Sequence, residues 1–361
     1  MSAEQANPRN LVQQPAASSR PHSRGADIET IEIGGPDMVA SRIALGTWAI
    51  GGWMWGGSDV LSAFRTILAA TDHGINLIDT APVYGFGLAE EIVGRALAPN
   101  GRRNRMLIAT KCGLEWQGDH VRRNATASRI REEVEESLRR LRTDRIDLYQ
   151  LHWPDPVVPI EESAEALAKL LQEGKIRAIG VSNLDRDQTE RFRQVAPVRT
   201  VQPPYNLFER DIETGVLPYA QKTGLVVLAY SALCRGLLSG RMSAETRFAG
   251  DDLRRVDPKF EPRRFDQYLS AVAELDRFAK ANFGRNVLAL AVRWILDHGP
   301  MIALWGARRP EQIAEVGTAM GWSLDAAAMR EIDRILDRTV TNPVGPEFMA
   351  PPAPAGDRAA A

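Results

Sequence analysis

The fold this 361-residue chain predicts is an α/β barrel of eight parallel strands, the (β/α)8 or TIM barrel. Three observations lead there. Eight apolar runs recur along the chain, each nearly continuous and so suited to strands covered on both faces. Amphipathic helical runs separate them. No G-x-G-x-x-G follows the first run, where an open dinucleotide-binding sheet would carry it, so a doubly wound sheet ranks second.

The strands are expected in RIALGTW (core 43–48), NLIDTA (76–81), MLIATK (106–111) and IDLYQLHW (146–153). They continue in IRAIGVSN (176–183), VRTVQPPY (198–205), LVVLAYS (225–231) and MIALWGA (301–307). Between them, SRIREEVEESLRRL (128–141) sets Ile130, Val134, Leu138 and Leu141 at helical spacing. IEESAEALAKLLQEGK (160–175) repeats the pattern, acidic in its first turn and with Lys175 in its last, the order a helix dipole favours. Ahead of the first strand, TIEIGGPDMVASRI reads as an N-terminal hairpin plugging the barrel bottom. Residues 232–262 form a long strand-seven loop with Gly236, Gly240 and Gly250, and so long a loop in a barrel is more often functional than idle. A C-terminal extra helix follows the eighth strand.

One domain, 28–350, accounts for this pattern. Residues 1–27 are rich in Pro, Ser, Asn and Gln, lack an apolar h-region and read as a disordered arm, with an organelle transit peptide as the lesser alternative. Residues 351–361 read as a disordered tail. A formal net charge of −1 gives no reason to expect nucleic acid. Cys112 and Cys234 lack metal-site spacing and read as free thiols in a reducing cytoplasm, with no metal. No apolar run is long enough to span a membrane.

Polar residues of matched chemistry stand at three successive strand ends. NLID ends at Asp79 with Tyr84 shortly beyond it, MLIATK ends at Lys111, and IDLYQLH ends at His152. In a parallel barrel these ends converge on the face where active sites sit. Reducing a carbonyl builds negative charge on its oxygen, which must be protonated. A tyrosine hydroxyl, with an unperturbed pKa of about 10, serves both directions poorly near neutrality. A lysine ammonium beside it favours the phenolate and is expected to lower that value. Asp79 is expected to hold Lys111 charged, and His152 to hydrogen-bond the carbonyl oxygen or relay the proton. The bland alternatives are a buried ion pair, a loop aromatic and a core histidine.

These runs, taken with GTWAIGGWMWGG, DTAPVYGFG, HWPDP, GVSN, QPPYNLFER, CRGLLSG, DPKF and WGAR, resemble the aldo-keto reductases over about residues 28–350. Within that family the likeness is to the bacterial, NADPH-dependent members of the general stress protein 69 type. The resemblance implies a nicotinamide cofactor bound without a Rossmann fold, reversible carbonyl reduction, and a tetrad of Asp79, Tyr84, Lys111 and His152. It places Ser182, Asn183 and Gln202 at the nicotinamide carboxamide and Tyr230 against the ring, with Thr47 and Trp48 on the same side. Leu233, Arg235, Gly236 and Leu237 fall along the pyrophosphate, Arg235 supplying charge. Gly306, Ala307, Arg308 and Gln312 fall around an adenosine 2′-phosphate, hence NADPH. In WGARRPEQ the expected helix start adds N–H groups that attract phosphate. Many relatives place Asn four residues beyond Gln312, where Val316 stands here, which leaves one adenine-edge hydrogen bond without its partner.

Trp53, Met54, Trp55, Trp116 and Trp153 are expected near the substrate mouth, with Phe208 and Phe348 approaching it. Such a rim stacks on sugar faces or excludes water from small aldehydes, and both classes stay open. The leading reading is an NADPH-dependent reductase of small-molecule carbonyls, a monomer or weak oligomer with Tyr84 as general acid. Oxidation of an aldose or polyol is second. A Schiff-base aldolase using Lys111 is opposed by Asp79, and a cofactor-binding regulatory subunit is the non-enzyme alternative.

Overall fold

Each of the eight apolar runs forms a strand in the computed structural model, which describes residues 28–352. The strands are β1 (Ile43–Gly46), β2 (Leu77–Asp79), β3 (Leu107–Cys112) and β4 (Ile146–Leu151). The others are β5 (Ile176–Ser182), β6 (Val198–Gln202), β7 (Val226–Ala229) and β8 (Met301–Gly306). Neighbours in sequence are neighbours in space, and β8 closes on β1 with Ala303 opposite Ile43. All pairs are parallel. Burial on both faces is the reason for their composition: every residue of β3 and β4 is buried, Lys111 and Gln150 included.

The outer layer is α1 (Val60–Asp72), α2 (Leu88–Leu97), α3 (Ala127–Leu141), α4 (Ile160–Gln172), α5 (Arg186–Val195) and α6 (Val216–Thr223). It continues with α7 (Pro262–Phe283), α8 (Val287–Leu296) and α9 (Ala326–Thr339). The C-terminal helix α9 packs on α7, a helix inside the strand-seven connection that sequence patterning did not separate from its loop. After β8 the expected helix is absent. Two 3-10 turns, Pro310–Gln312 and Val316–Ala319, stand there, and Val316 is buried.

The N-terminal hairpin pairs Thr30–Glu32 with Val39–Ser41 and closes the barrel base. Ile33, Met38 and Ala40 pack against Leu77, Leu107, Leu148 and Leu228 from the strands. The arm 1–27 and residues 353–361 lie outside the described residues. Pro351 and Pro352, expected in the loose tail, are instead in place at the barrel mouth. Among the described residues no helix is long and apolar enough to cross a membrane.

Helix α3 buries Ile130, Val134 and Leu141, but also Glu133 and Ser137. Glu133 Oε2 accepts the Gly113 N–H at 2.7 Å. Burial pushes this carboxyl from an ordinary 4.5 up to about 8, with Arg129 countering only in part. A raised folded-state pKa gives stability that is full below about pH 4.5 and is lost as pH climbs to about 8. Glu133→Gln keeps an acceptor for Gly113 and does not ionise. Urea melts are expected to show the variant rising relative to wild type across that interval, by on the order of 5 kcal/mol at most. A stability difference that is flat with pH would dissociate Glu133 from this titration.

Candidate active site

Asp79 closes β2, Lys111 stands near the end of β3, and His152 follows β4. Tyr84 lies in the turn after β2, where its N–H bonds Ala81 O at 3.1 Å. That turn is pressed against the loop after β1. A Cβ on Gly85 would lie 2.2 Å from Gly51 O, and one on Gly51 would lie 2.5 Å from Tyr84 C. Two glycines therefore let the backbones meet and fix how far Tyr84 reaches into the barrel mouth.

Lys111 Nζ donates to Asp79 Oδ1 at 2.6 Å and to Thr80 O at 2.9 Å. The same ammonium stands 5.1 Å from the Tyr84 ring centroid. His152 meets the Tyr84 ring edge-on, centroids 5.9 Å apart, while Trp48 stacks on its other side at 6.1 Å. The four expected residues are thus one contiguous group.

The electrostatics differ from expectation at Tyr84. Burial first, and then the Asp79 carboxylate, pushes its phenol well above the ordinary 10.0. The lysine was expected to draw it down. The physical reason lies in the ion pair: at 2.6 Å the ammonium's field is largely cancelled by Asp79. Burial lowers Lys111 itself, opposed by Asp79. Burial, then the Lys111 charge, holds His152 well below 6.5, so its imidazole is neutral at neutral pH. The site therefore presents a protonated phenol and a neutral imidazole.

A cleft of about 1080 Å³ opens over this group. Trp48, Tyr84, His152, Ser182, Asn183, Gln202 and Tyr230 all line it, as do Trp53, Met54, Trp116, Trp153 and Phe348. Asn183 is held in a left-handed conformation, φ 60°, by bonds from its Nδ2 to His152 O at 2.9 Å and from Tyr230 Oη to its Oδ1 at 2.8 Å. Ser182 Oγ donates to Gln202 O at 2.8 Å. The carboxyl ends of β4, β5, β6 and β7 are therefore tied to one another along one wall. These donors and acceptors, beside an aromatic face at Tyr230, suit a flat ring bearing a carboxamide.

Several expected contacts sit elsewhere. Thr47, Trp55, Leu233, Arg235, Gly236, Leu237, Gly306, Ala307, Arg308 and Gln312 do not line this cleft. Thr47 is buried and donates to Asp79 O. Trp55 packs edge-on to Trp48 and under the Arg254 guanidinium. Arg235 does not offer free charge: it is buried between Glu209 and Asp257, with its Nε 2.7 Å from Asp257 Oδ2, and Lys259 completes the cluster 2.8 Å from Glu209. Leu237 and Ala307 are buried, Leu233 packs against the core, and Gly236 takes a left-handed φ of 94°. Phe208 packs on Tyr268 in the core.

At the β8 end, Gln312 Oε1 accepts the N–H groups of Arg308 and Arg309 at 2.8 and 3.0 Å. The backbone donors expected to face phosphate are thus already occupied. Arg308 donates to Trp55 O at 2.8 Å and Gly57 O at 2.5 Å, tying this end to the loop after β1. Asp251, from the long strand-seven loop, accepts Met54 N and Gly56 N in the same place at 2.8 and 2.9 Å. Gly306 is exposed, with open space where a Cβ would be.

Three features of the site went unread in the sequence. A hairpin, Leu114–Gln117 with His120–Arg123, brings Glu115, Gln117 and His120 to the rim; its only signal was alternation around Gly118–Asp119. Arg123 of that hairpin donates to Pro154 O and Pro351 O, both at 3.0 Å, and so draws the chain end over the cleft. Gln150, inside the quoted LYQLHW run, contacts Asp79.

With the geometry in hand, comparison with known proteins gives a consistent answer. Residues 42–337 match the Aldo/keto reductase family. Aldo-keto reductase YhdN of Bacillus subtilis is 56% identical over 326 residues, 90% of this chain and 98% of that protein. The NADH-specific methylglyoxal reductase of Escherichia coli is 37% identical, over 86% of this chain and all of its own length. Among solved structures, the glycerol dehydrogenase AKR11B4 from Gluconobacter oxydans superposes with a TM-score of 0.81 at 56% identity, covering 91% of this chain and 100% of that one. An aldo-keto reductase from Klebsiella pneumoniae in complex with NADPH gives 0.67 at 29% identity, covering 86% and 95%. A closed parallel barrel with this strand-end group is an oxidoreductase scaffold of the carbonyl–alcohol type. The chain belongs to the aldo-keto reductase family.

Proposed function

We propose that this protein reduces small, uncharged aldehydes or ketones to alcohols with NADPH, using Tyr84 as the acid. One observation carries the reading: Asp79, Tyr84, Lys111 and His152 adjoin one another, and Tyr84 and His152 of that group face the cleft that Ser182, Asn183, Gln202 and Tyr230 also line. When bound, the reduced nicotinamide supplies two electrons and a hydrogen to the carbonyl carbon. The protein's own groups deal with the oxygen. Neutral His152 donates a hydrogen bond to it and sets its position, and Tyr84, fully protonated at neutral pH, gives up its proton as negative charge builds. The aromatic wall of Trp53, Trp116 and Trp153 keeps water from the reacting atoms. The barrel is expected to work in the cytoplasm as a monomer or weak oligomer.

A second reading, oxidation of a polyol in the reverse sense, is favoured by the 56% identity to a glycerol dehydrogenase. The experiment is turnover of the purified protein with NADPH against short aldehydes, dicarbonyls and aldoses, and with NADP against glycerol and other polyols. Absence of turnover in both directions would sink both readings.

The preference for NADPH rests on Arg308. Burial lowers its guanidinium's pKa, as do the nearby charges of Arg254 and Arg309, while Asp252, paired with Arg254 at 2.6 Å, offsets them in part, so a surplus of positive charge is left for an anion. One charge-assisted hydrogen bond is worth about 1.5–3 kcal/mol, or roughly 10- to 150-fold in affinity. The kcat/KM ratio for NADPH over NADH is expected to exceed ten in wild type and to fall by about that factor in Arg308→Ala. A wild-type ratio near one would align this chain with its NADH-specific relative.

A further inference from the structure

The Asp79 carboxylate has a second set of partners that proton transfer does not use. While Oδ1 accepts from Lys111, Oδ2 accepts from Gln202 Nε2 at 2.8 Å and from Gln150 Nε2 at 3.3 Å. Gln202 Nε2 also lies 3.4 Å from Gln150 Oε1. All these side chains are buried. Room for Gln150 comes from β5, where a Cβ on Gly180 would lie 2.9 Å from Gln150 Cγ and 2.4 Å from Thr200 Oγ1.

An ionised carboxylate only accepts, so the NH2 ends of both amides must face Asp79. Gln202 has two N–H bonds to give. One goes to Asp79 Oδ2 and the other to Gln150 Oε1. Its oxygen is the polar atom left over, and Gln202 lines the cleft.

We propose that Asp79 and Gln150 are positioning residues that fix the polarity of Gln202, so that the cleft offers an acceptor to the NH2 of a primary carboxamide. This rests on the nicotinamide reading above and ties the proton-donating group to the cofactor wall through one carboxylate. Asp79→Asn reverses the relay. The new amide turns its oxygen to Lys111, a donor, and its NH2 toward Gln202 and Gln150. Donor then meets donor, Gln202 rotates by half a turn, and its NH2 faces the incoming NH2. Gln202→Glu added to Asp79→Asn repairs this: the introduced carboxylate accepts from the introduced amide with one oxygen and shows the other to the cleft.

The test is titration of cofactor binding by NADPH fluorescence, with no turnover required. Asp79→Asn is expected to weaken NADPH about tenfold, as is Gln202→Glu alone, where two carboxylates oppose each other. The double variant is expected within about threefold of wild type. A merely structural role for these side chains gives no such recovery. Wild type itself supplies a check that needs no variant to fold: an NADP analogue with an acetyl group in place of the carboxamide lacks the NH2 and is expected to bind about 5- to 10-fold more weakly. Failure of wild type to bind any nicotinamide cofactor would overturn the functional reading itself. If wild type binds NADPH, equal affinity for the analogue, or a double variant no better than Asp79→Asn, overturns this inference alone.

Discussion

Tyr84→Phe is expected to lower carbonyl reduction by roughly 10²- to 10⁴-fold, the usual reach of a general acid, while cofactor binding stays within about twofold. The substitution keeps the ring between Trp48 and His152, so the packing of the mouth is preserved. Only the proton is lost. Because burial and Asp79 hold the phenol in its protonated form, wild-type reduction is expected to be flat with pH around neutrality as far as this group governs it. The variant's residual rate reports what His152 and positioning achieve without a proton donor. Single-turnover rates with NADPH and a short aldehyde separate this from cofactor release. Turnover in the variant near the wild-type rate would remove Tyr84 from the proton path and leave neutral His152 as the donor.

The barrel was legible because its strands are buried on both faces, which forces eight nearly continuous apolar runs with charge confined near their ends. The grouping of the four residues was legible for a related reason: Lys111 and His152 stand at the carboxyl ends of runs whose middles exclude charge. What escaped depends on contacts between elements distant in sequence. Nothing in WGARRPEQ shows that Gln312 will cap its own backbone, or that Arg308 will reach the carbonyls of Trp55 and Gly57. Arg235 reads as a loop cation until Glu209 and Asp257, from separate segments, are folded around it. The direction of the Tyr84 shift likewise hangs on a pair geometry, because a lysine beside a tyrosine acts differently once a carboxylate holds it. Residue type announces the chemistry, and the partner decides its sign.

Lys111→Met removes the charge from that pair and is expected to act on stability and chemistry by separable routes. Lys111 is fully buried, so the variant leaves Asp79 with only its amide partners in the barrel interior. Breaking a buried pair in this way costs about 3–5 kcal/mol, read as a lower urea midpoint. On the chemistry, an unopposed Asp79 raises the phenol further than in wild type, where it already stands well above 10.0. Alcohol oxidation needs the phenolate, so its rate is expected to fall by at least about 10²-fold near neutral pH. It should recover in part as pH rises, with the ascending limb displaced to higher pH than in wild type. Reduction needs the phenol, so its pH profile moves little. Adding Asp79→Asn to Lys111→Met removes the stranded charge, and replacing both members of a buried pair by neutral groups of similar size is often close to neutral for stability. The double variant is therefore expected to regain most of the urea midpoint and to recover its oxidation toward the wild-type rate, since the Asp79 charge that raises the phenol is gone as well. Coincident oxidation profiles for wild type and Lys111→Met would show that the lysine holds Asp79 in place without tuning Tyr84. A double variant as unstable as Lys111→Met would mean that the stranded carboxylate is not what destabilises the single variant.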